Sequence, residues 1–388
     1  MGSVAAIVAG VVVFLVLLIK CTNGDKSINN VELSQLLEIY NLSLFEFTEL
    51  KGLKLQMDIF TLRQIKAATN YFNKTNKIGG FGPVYKGNLS DGTIIAAKQL
   101  SSKSRQGNRE FLNELGMISA LQHSCLVKLY RCCVEGDQLL LVYEYMGKNS
   151  LARALFGPEE YQIKLDWPTR QKICVGIARG LTYLHEESRL KIVHRDIKAI
   201  NVLLDKNLNP KISDFGLAKL DEEDNTGIST RIAGIYGYTA PEYAMHGYLT
   251  DKADVYSFGV VALEIVSERS NMIQRQKEEA FLLLDWAHML KGKGNLMELV
   301  DRRLAMINVA LLCTNDTASL RPTMSSVVSM LEGRSVVQEP YQEIIGENKL
   351  TEIQNQSLSM DDTLAPSSSA TDLYPVNMNS SYWEKRGW

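Results

Sequence analysis

His194-Arg195-Asp196-Ile197-Lys198-Ala199-Ile200-Asn201 places a carboxylate, an amine and a carboxamide at positions 196, 198 and 201 of one short segment. Asp214-Phe215-Gly216 lies thirteen residues beyond Asn201, and Ala240-Pro241-Glu242 follows. Moving a terminal phosphoryl group requires charge neutralisation on the phosphates, bound Mg2+, and a carboxylate that orients the attacking hydroxyl. The ordered set matches a known signature for that chemistry. In it Asp196 accepts the acceptor's proton, Lys198 stabilises the γ-phosphate, and Asn201 and Asp214 hold the metal. Each string alone is unspecific, since Asp-Phe-Gly is commonly a plain turn. Their order and spacing together are specific.

Upstream the pattern turns to short strands. Val84 to Leu89 and Thr93 to Leu100 are β-prone runs joined by Ser90-Asp91-Gly92, which predicts a hairpin. Its second strand carries Lys98, an amine for the α- and β-phosphates of ATP; a lysine in such a strand is otherwise a surface residue. Arg109 to Leu121 has Phe111, Leu115 and Ile118 at helical spacing, so an amphipathic helix follows. Glu114 shares that inward face and is the expected partner of Lys98, with Glu110 as the alternative. Leu126 to Val134 and Gln138 to Met146 are two further strands. Glu144 to Met146 form a hinge whose backbone binds adenine, and Tyr143 borders the pocket. Ile78-Gly79-Gly80-Phe81-Gly82-Pro83-Val84 is the candidate phosphate-covering loop, or else Gly79 and Gly80 only turn a hairpin.

Past Lys148 the chain is mainly helical: Ile173, Ile177, Leu181 and Leu184 line one helix, and Val255 to Val266 is apolar enough to be a buried one. A helix is also predicted after a Thr61 cap. The fold class is therefore α+β, with a small β-rich lobe (about 60–146), a large helical lobe (about 147–333) and a ligand cleft between them. Residues 334–388, rich in Ser, Asn, Gln, Asp and Glu, read as a disordered tail.

The 388 residues, 45% hydrophobic and 22% charged, suffice for two lobes, and a net charge of -2 offers nucleic acid no basic field. The six cysteines lack both zinc spacing and disulfide density, and read as reduced thiols. Val4 to Ile19 contains no charged residue, and residues 1–19 together approach the length of a membrane helix. A signal peptide is the competing reading, but no basic residue precedes the run and no small-x-small cleavage site follows it. Lys20 and Lys26 follow, which puts the rest of the chain in the cytoplasm. Ala6 excludes the myristoylation motif. Residues 20–59 read as a partly ordered linker, with a short membrane-surface helix through Leu33, Leu36, Leu37, Tyr40 and Leu44 as the alternative.

These motifs, with Phe60-Thr61-Leu62-Arg63-Gln64-Ile65, Lys211 to Lys219 and Asp251 to Val260, resemble the plant leucine-rich-repeat receptor-like Ser/Thr kinases over about Phe60 to Gly333. The resemblance implies a bilobal protein-kinase-like fold, ATP and Mg2+, protein substrates with Ser or Thr acceptors, and signalling at the plasma membrane. Complete receptor-like kinases are implied partners. It also implies that Asp254 braces the catalytic loop and that Arg321 pairs with Glu242. It makes Arg195 a reader of phosphorylation at Thr226, Ser229, Thr230 or Tyr236. Four departures stand out. No repeat ectodomain precedes the apolar segment, so the expectation is a chain that does not sense a ligand by that route. The glycine loop is two residues short, which predicts nucleotide affinity weaker by roughly one or two orders of magnitude. Ile235 replaces a threonine whose hydroxyl would bond Asp196 and Lys198. About a dozen residues are missing between Leu304 and Ala305, which predicts a shortened helix. A catalytically weak pseudokinase acting as a scaffold or decoy is the alternative these departures raise.

Overall fold

In the computed structural model the described residues are 60–78, 82–119, 121–135, 137–220, 237–273, 281–295 and 304–337. Val4 to Ile19, the linker to residue 59, and the tail from 338 lie outside them. Among the described residues no helix is long and apolar enough to cross a membrane.

Helix α1 (Leu62–Ala68) starts at the predicted cap: Thr61 accepts from the Gln64 N–H, and the Gln64 side chain returns a bond to the Thr61 N–H. The hairpin forms as β1 (Val84–Asn88) and β2 (Ile94–Ser101). Helix α2 (Arg105–Ile118) begins four residues before the predicted start at Arg109 and ends three before the predicted end at Leu121. Its first turn, Arg-Gln-Gly-Asn, has no hydrophobic spacing to betray it. Ser104 caps the turn by accepting from the Gly107 N–H, and a Cβ at position 107 would lie 2.2 Å from the Ser101 carbonyl oxygen. Strands β3 (Leu129–Glu135) and β4 (Gln138–Glu144) complete an antiparallel sheet in the order β1-β2-β4-β3.

Alternation along β2 gives each face its task. Ile95 and Ala97 are fully buried with Ile65 of α1 and Leu140 and Val142 of β4. Ala96 and Lys98 point the other way and line the cleft. Because the side-chain period is 2, a one-residue slip against β4 would turn Lys98 into the apolar core, so this packing fixes its direction.

The large lobe opens with α3 (Leu151–Phe156) and α4 (Trp167–Thr182), which runs into a π-turn over Tyr183–Glu187. Short pairs follow: β5 (Ile192–Val193), β6 (Val202–Leu204), β7 (Pro210–Ile212) and β8 (Lys219–Leu220), with β5 against β8 and β6 against β7. Helix α5 (Pro241–His246) leads to α6 (Asp251–Ser267), which is buried continuously from Ala253 to Val266. Strands β9 (Met272–Ile273) and β10 (Phe281–Leu282) pair ahead of α7 (Leu283–Gly292). Helices α8 (Leu304–Cys313) and α9 (Met324–Leu331) close the lobe. Gly259 lets α8 approach α6, since a Cβ there would meet the Ala310 carbonyl oxygen at 2.7 Å. Helix α8 starts at Leu304 itself, and the residues before it, 296–303, lie outside the described set. The small β lobe and the helical lobe give the two-lobed α+β architecture expected from sequence.

Candidate active site

Lys98 Nζ lies 2.7 Å from Glu114 Oε2 and 2.9 Å from Asp214 Oδ1, joining β2, α2 and the Asp-Phe-Gly segment at one ammonium. Helical phase decides between the two glutamates: Glu114 is 1% exposed, whereas Glu110 is turned to Gln106. Tyr143 donates its hydroxyl hydrogen to the second oxygen, Glu114 Oε1, at 2.5 Å. Burial by itself would lower the Lys98 pKa, but the Asp214 and Glu114 charges overcome it and hold the amine well above its ordinary range. Burial also opposes ionisation of Asp214, yet Lys98 brings its carboxyl down to about 2. Glu114 goes the other way, because burial outweighs the pull of Lys98.

The catalytic-loop residues converge on Asp196. Lys198 Nζ donates to its two oxygens at 2.8 and 2.7 Å, and Asn201 Nδ2 donates to Oδ2 at 2.8 Å. Burial raises the Asp196 pKa against the pull of Lys198, and the Asp214 charge raises it further. The segment is braced from α6, as the resemblance implies. Asp254 accepts the His194 N–H at 2.6 Å and the Arg195 N–H at 2.8 Å, although Arg195 sits at a φ of 69°. These bonds, with His194, hold a left-handed conformation that otherwise costs free energy. His194 accepts from the Asp196 N–H through Nδ1 and faces the Ser213 carbonyl through Nε2, so both ring nitrogens are used in the neutral form. Burial lowers its pKa to match. His185, in the π-turn, adds a third contact to Asp254 at 3.1 Å.

A cleft of about 580 Å³ opens between the lobes. Ile78, Val84, Lys98, Glu114, Glu144 and Met146 line it, together with Asn201 and Asp214. Asp196 and Lys198 are buried just behind this lining, where Asn201 bonds the Asp196 carboxylate. The Glu144 side chain turns to Lys211 at 2.8 Å and to the Lys128 N–H, and its own N–H donates to the Lys128 carbonyl at 3.0 Å, so only its carbonyl is left to the hinge role. Gly82 has a φ of 72°, as a tight turn requires, while Gly79 and Gly80 lie outside the described residues. Ile78 N–H donates to the Val84 carbonyl at 2.8 Å. Ile235 and the four acceptor positions also fall outside the described residues. Arg195 is held by the Tyr243 hydroxyl and donates to the Leu217 carbonyl at 3.2 Å.

The donors suit a hard cation. Asp214 gives Oδ1 to Lys98 and keeps Oδ2; Asn201 gives Nδ2 to Asp196 and keeps Oδ1. No cluster of three His, Cys, Asp or Glu occurs among the described residues, so a metal would complete its shell with phosphate and water oxygens, the habit of Mg2+.

Behind the segment leading to α5, Glu264 of α6 is fully buried and accepts from Tyr238 Oη at 2.6 Å and from the Asn271 N–H at 2.8 Å. Burial pushes its pKa up to about 7, from 4.5. The unfolded chain loses this proton near pH 4.5 and the native protein keeps it to about 7. Its contribution to stability is therefore complete below 4.5 and is lost as pH rises to 7. Glu264→Gln is expected to remove that slope, making the variant more stable relative to the parent at pH 8 than at pH 5, by on the order of 3 kcal/mol. Urea unfolding at the two pH values checks it; equal differences would refute a buried neutral acid.

The profile of protein tyrosine and serine/threonine kinases matches residues 72–331. A probable leucine-rich repeat receptor-like serine/threonine-protein kinase of Arabidopsis thaliana is 60% identical over 371 residues, covering 87% of this chain and 36% of the relative. Two further Arabidopsis thaliana receptor-like kinases are each 68% identical, over 302 and 307 residues, covering 75% and 76% of this chain and 32% and 30% of theirs. The chain thus spans about a third of the length of the curated relatives it matches. With an amine, two carboxylates and a carboxamide gathered at one cleft and a family match over most of its length, the chain belongs to the protein tyrosine and serine/threonine kinases.

Proposed function

We propose that this chain transfers the γ-phosphoryl group of ATP to Ser and Thr hydroxyls of proteins, as a signalling kinase anchored to the plasma membrane with its catalytic lobes in the cytoplasm. The observation that carries the proposal is the double pairing of Lys98 with Glu114 and Asp214. It sets an ammonium beside the carboxylate suited to a metal. Asp214 and Asn201 would hold Mg2+, which would supply charge neutralisation on the phosphates. Lys98 binds the α- and β-phosphates while Glu114 holds it in place. Asp196 accepts the hydroxyl proton, its basicity raised by burial. Lys198, already at Asp196, neutralises charge on the transferring group. The printed names of the relatives support Ser and Thr as acceptors, as does Lys198 two positions after Asp196.

Full-length protein in detergent, given labelled ATP, Mg2+ and a generic Ser/Thr substrate, is expected to yield phosphoserine or phosphothreonine. Nucleotide binding without transfer would instead favour a weak pseudokinase that serves complete receptor-like kinases as scaffold or decoy. The two-residue-short glycine sequence over Ile78 to Val84, together with Ile235, favours that side. Deleting residues 1–20 is expected to move the protein from the membrane to the soluble fraction. Persistent membrane association would relocate the anchor to Leu33–Leu44 or an acylated Cys21.

A further inference from the structure

Asn113 stands beside Glu114 on α2, and none of the roles above uses it. Its Nδ2 lies 2.8 Å from the Ala218 carbonyl, 2.9 Å from that of Gly216 and 3.2 Å from that of Phe215. The intervening Leu217 carbonyl accepts from Arg195 of the catalytic loop. Four consecutive carbonyls after Asp214 are thus held by side chains, three by α2 and one by the large lobe. An amide has two hydrogens, so with three acceptors one hydrogen is shared between two of the oxygens. The contact is close on both sides: a Cβ on Gly216 would touch Glu110 at 3.4 Å. The Phe215 carbonyl also takes the Ala218 N–H at 3.1 Å, but an outward swing of α2 would strip the Asn113 donor from the Gly216 and Ala218 carbonyls.

We propose that Asn113 is a positioning residue that ties the Asp214 segment to α2, so that the Lys98–Glu114 pairing and the presentation of Asp214 are gained and lost together. The proposal rests on the reading of Asp214 as the metal carboxylate for its kinetic consequence, but not for the coupling itself.

Two substitutions of similar size separate donor from filler. Asn113→Asp places acceptors against acceptors, whereas Asn113→Leu only removes the donor. Hydrogen exchange on the full-length protein is expected to accelerate in α2 and in residues 215–220 together, more in Asn113→Asp than in Asn113→Leu. The Mg2+ concentration for half-maximal transfer is expected to rise at least about tenfold, and kcat to fall roughly a hundredfold in Asn113→Asp and tenfold in Asn113→Leu. Lowering the pH to 5.5 should partly rescue only the Asp variant, since a protonated carboxyl donates again. Exchange that rises in one element alone, or a Leu variant as impaired as the Asp variant, would overturn the proposal. If the parent transfers no phosphate, the kinase reading falls while the exchange experiment still decides the coupling. If Asn113→Asp does not fold, exchange in Asn113→Leu decides it, joint acceleration supporting the tie and any other pattern refuting it.

Discussion

Asp196→Asn is expected to lower kcat by about 10³-fold while leaving the KM for ATP within a few-fold, because the change touches proton transfer rather than nucleotide binding. The carboxylate at 196 accepts three short bonds, two from Lys198 and one from Asn201. Asparagine has the same shape but only one acceptor end. Its NH2 group must face either the Lys198 ammonium or the Asn201 amide, and both are donors. The substitution therefore removes the proton acceptor and also releases Lys198 from its post. Burial raises the pKa of the parent carboxyl, so its activity should climb with pH through that raised value as the proton leaves. The variant should lack this limb. Steady-state kinetics on a Ser/Thr peptide from pH 5 to 8 checks both points, and a loss of less than tenfold with the acid limb intact would place the base elsewhere.

The parts of this site that sequence revealed are those written locally. The strand that carries Lys98 was legible from its motif, and helical phase chose Glu114 over Glu110. Asp196, Lys198 and Asn201 lie in one segment, and they meet as that segment suggests. The Asp254 brace and the Arg321–Glu242 pair came only from the resemblance, and both are present. What escaped was long-range. Asn113 reaches carbonyls more than a hundred positions away, and nothing in Phe-Leu-Asn-Glu separates it from a solvated polar residue. His185 also escaped, although it lies four residues after Leu181 in the inward row of Ile173, Ile177 and Leu181, where a buried polar side chain needs a partner such as Asp254. The bond from Tyr143 to Glu114 crosses from β4 to α2, though an aromatic hydroxyl at a pocket border was a signal to look for a buried acceptor.

Arg321→Ala is expected to cost about 3–5 kcal/mol of stability, the range for stripping one partner from a buried ion pair. The side chain is 0% exposed, and its five N–H groups all have acceptors. Glu242 takes two of them at 2.7 and 2.8 Å, in the bidentate geometry that only a guanidinium supplies. The carbonyls of Lys252, Asn315 and Asp316 take the rest. Arg321→Lys should recover little, since three donors on a single nitrogen cannot span a carboxylate and three carbonyls. Pairing Arg321→Met with Glu242→Gln should also remain destabilised, because it relieves the carboxylate and not the carbonyls. That outcome distinguishes an arginine that organises the backbone from one that merely balances a charge. The anchored backbone includes the start of α5, directly after Tyr238 and Ala240, so the loss should appear as earlier melting of a protein whose remaining folded fraction keeps its turnover. Chemical denaturation of the single and double variants measures it, and a cost for Arg321→Ala below about 1 kcal/mol would mean that solvent reaches Glu242 as easily as the guanidinium does.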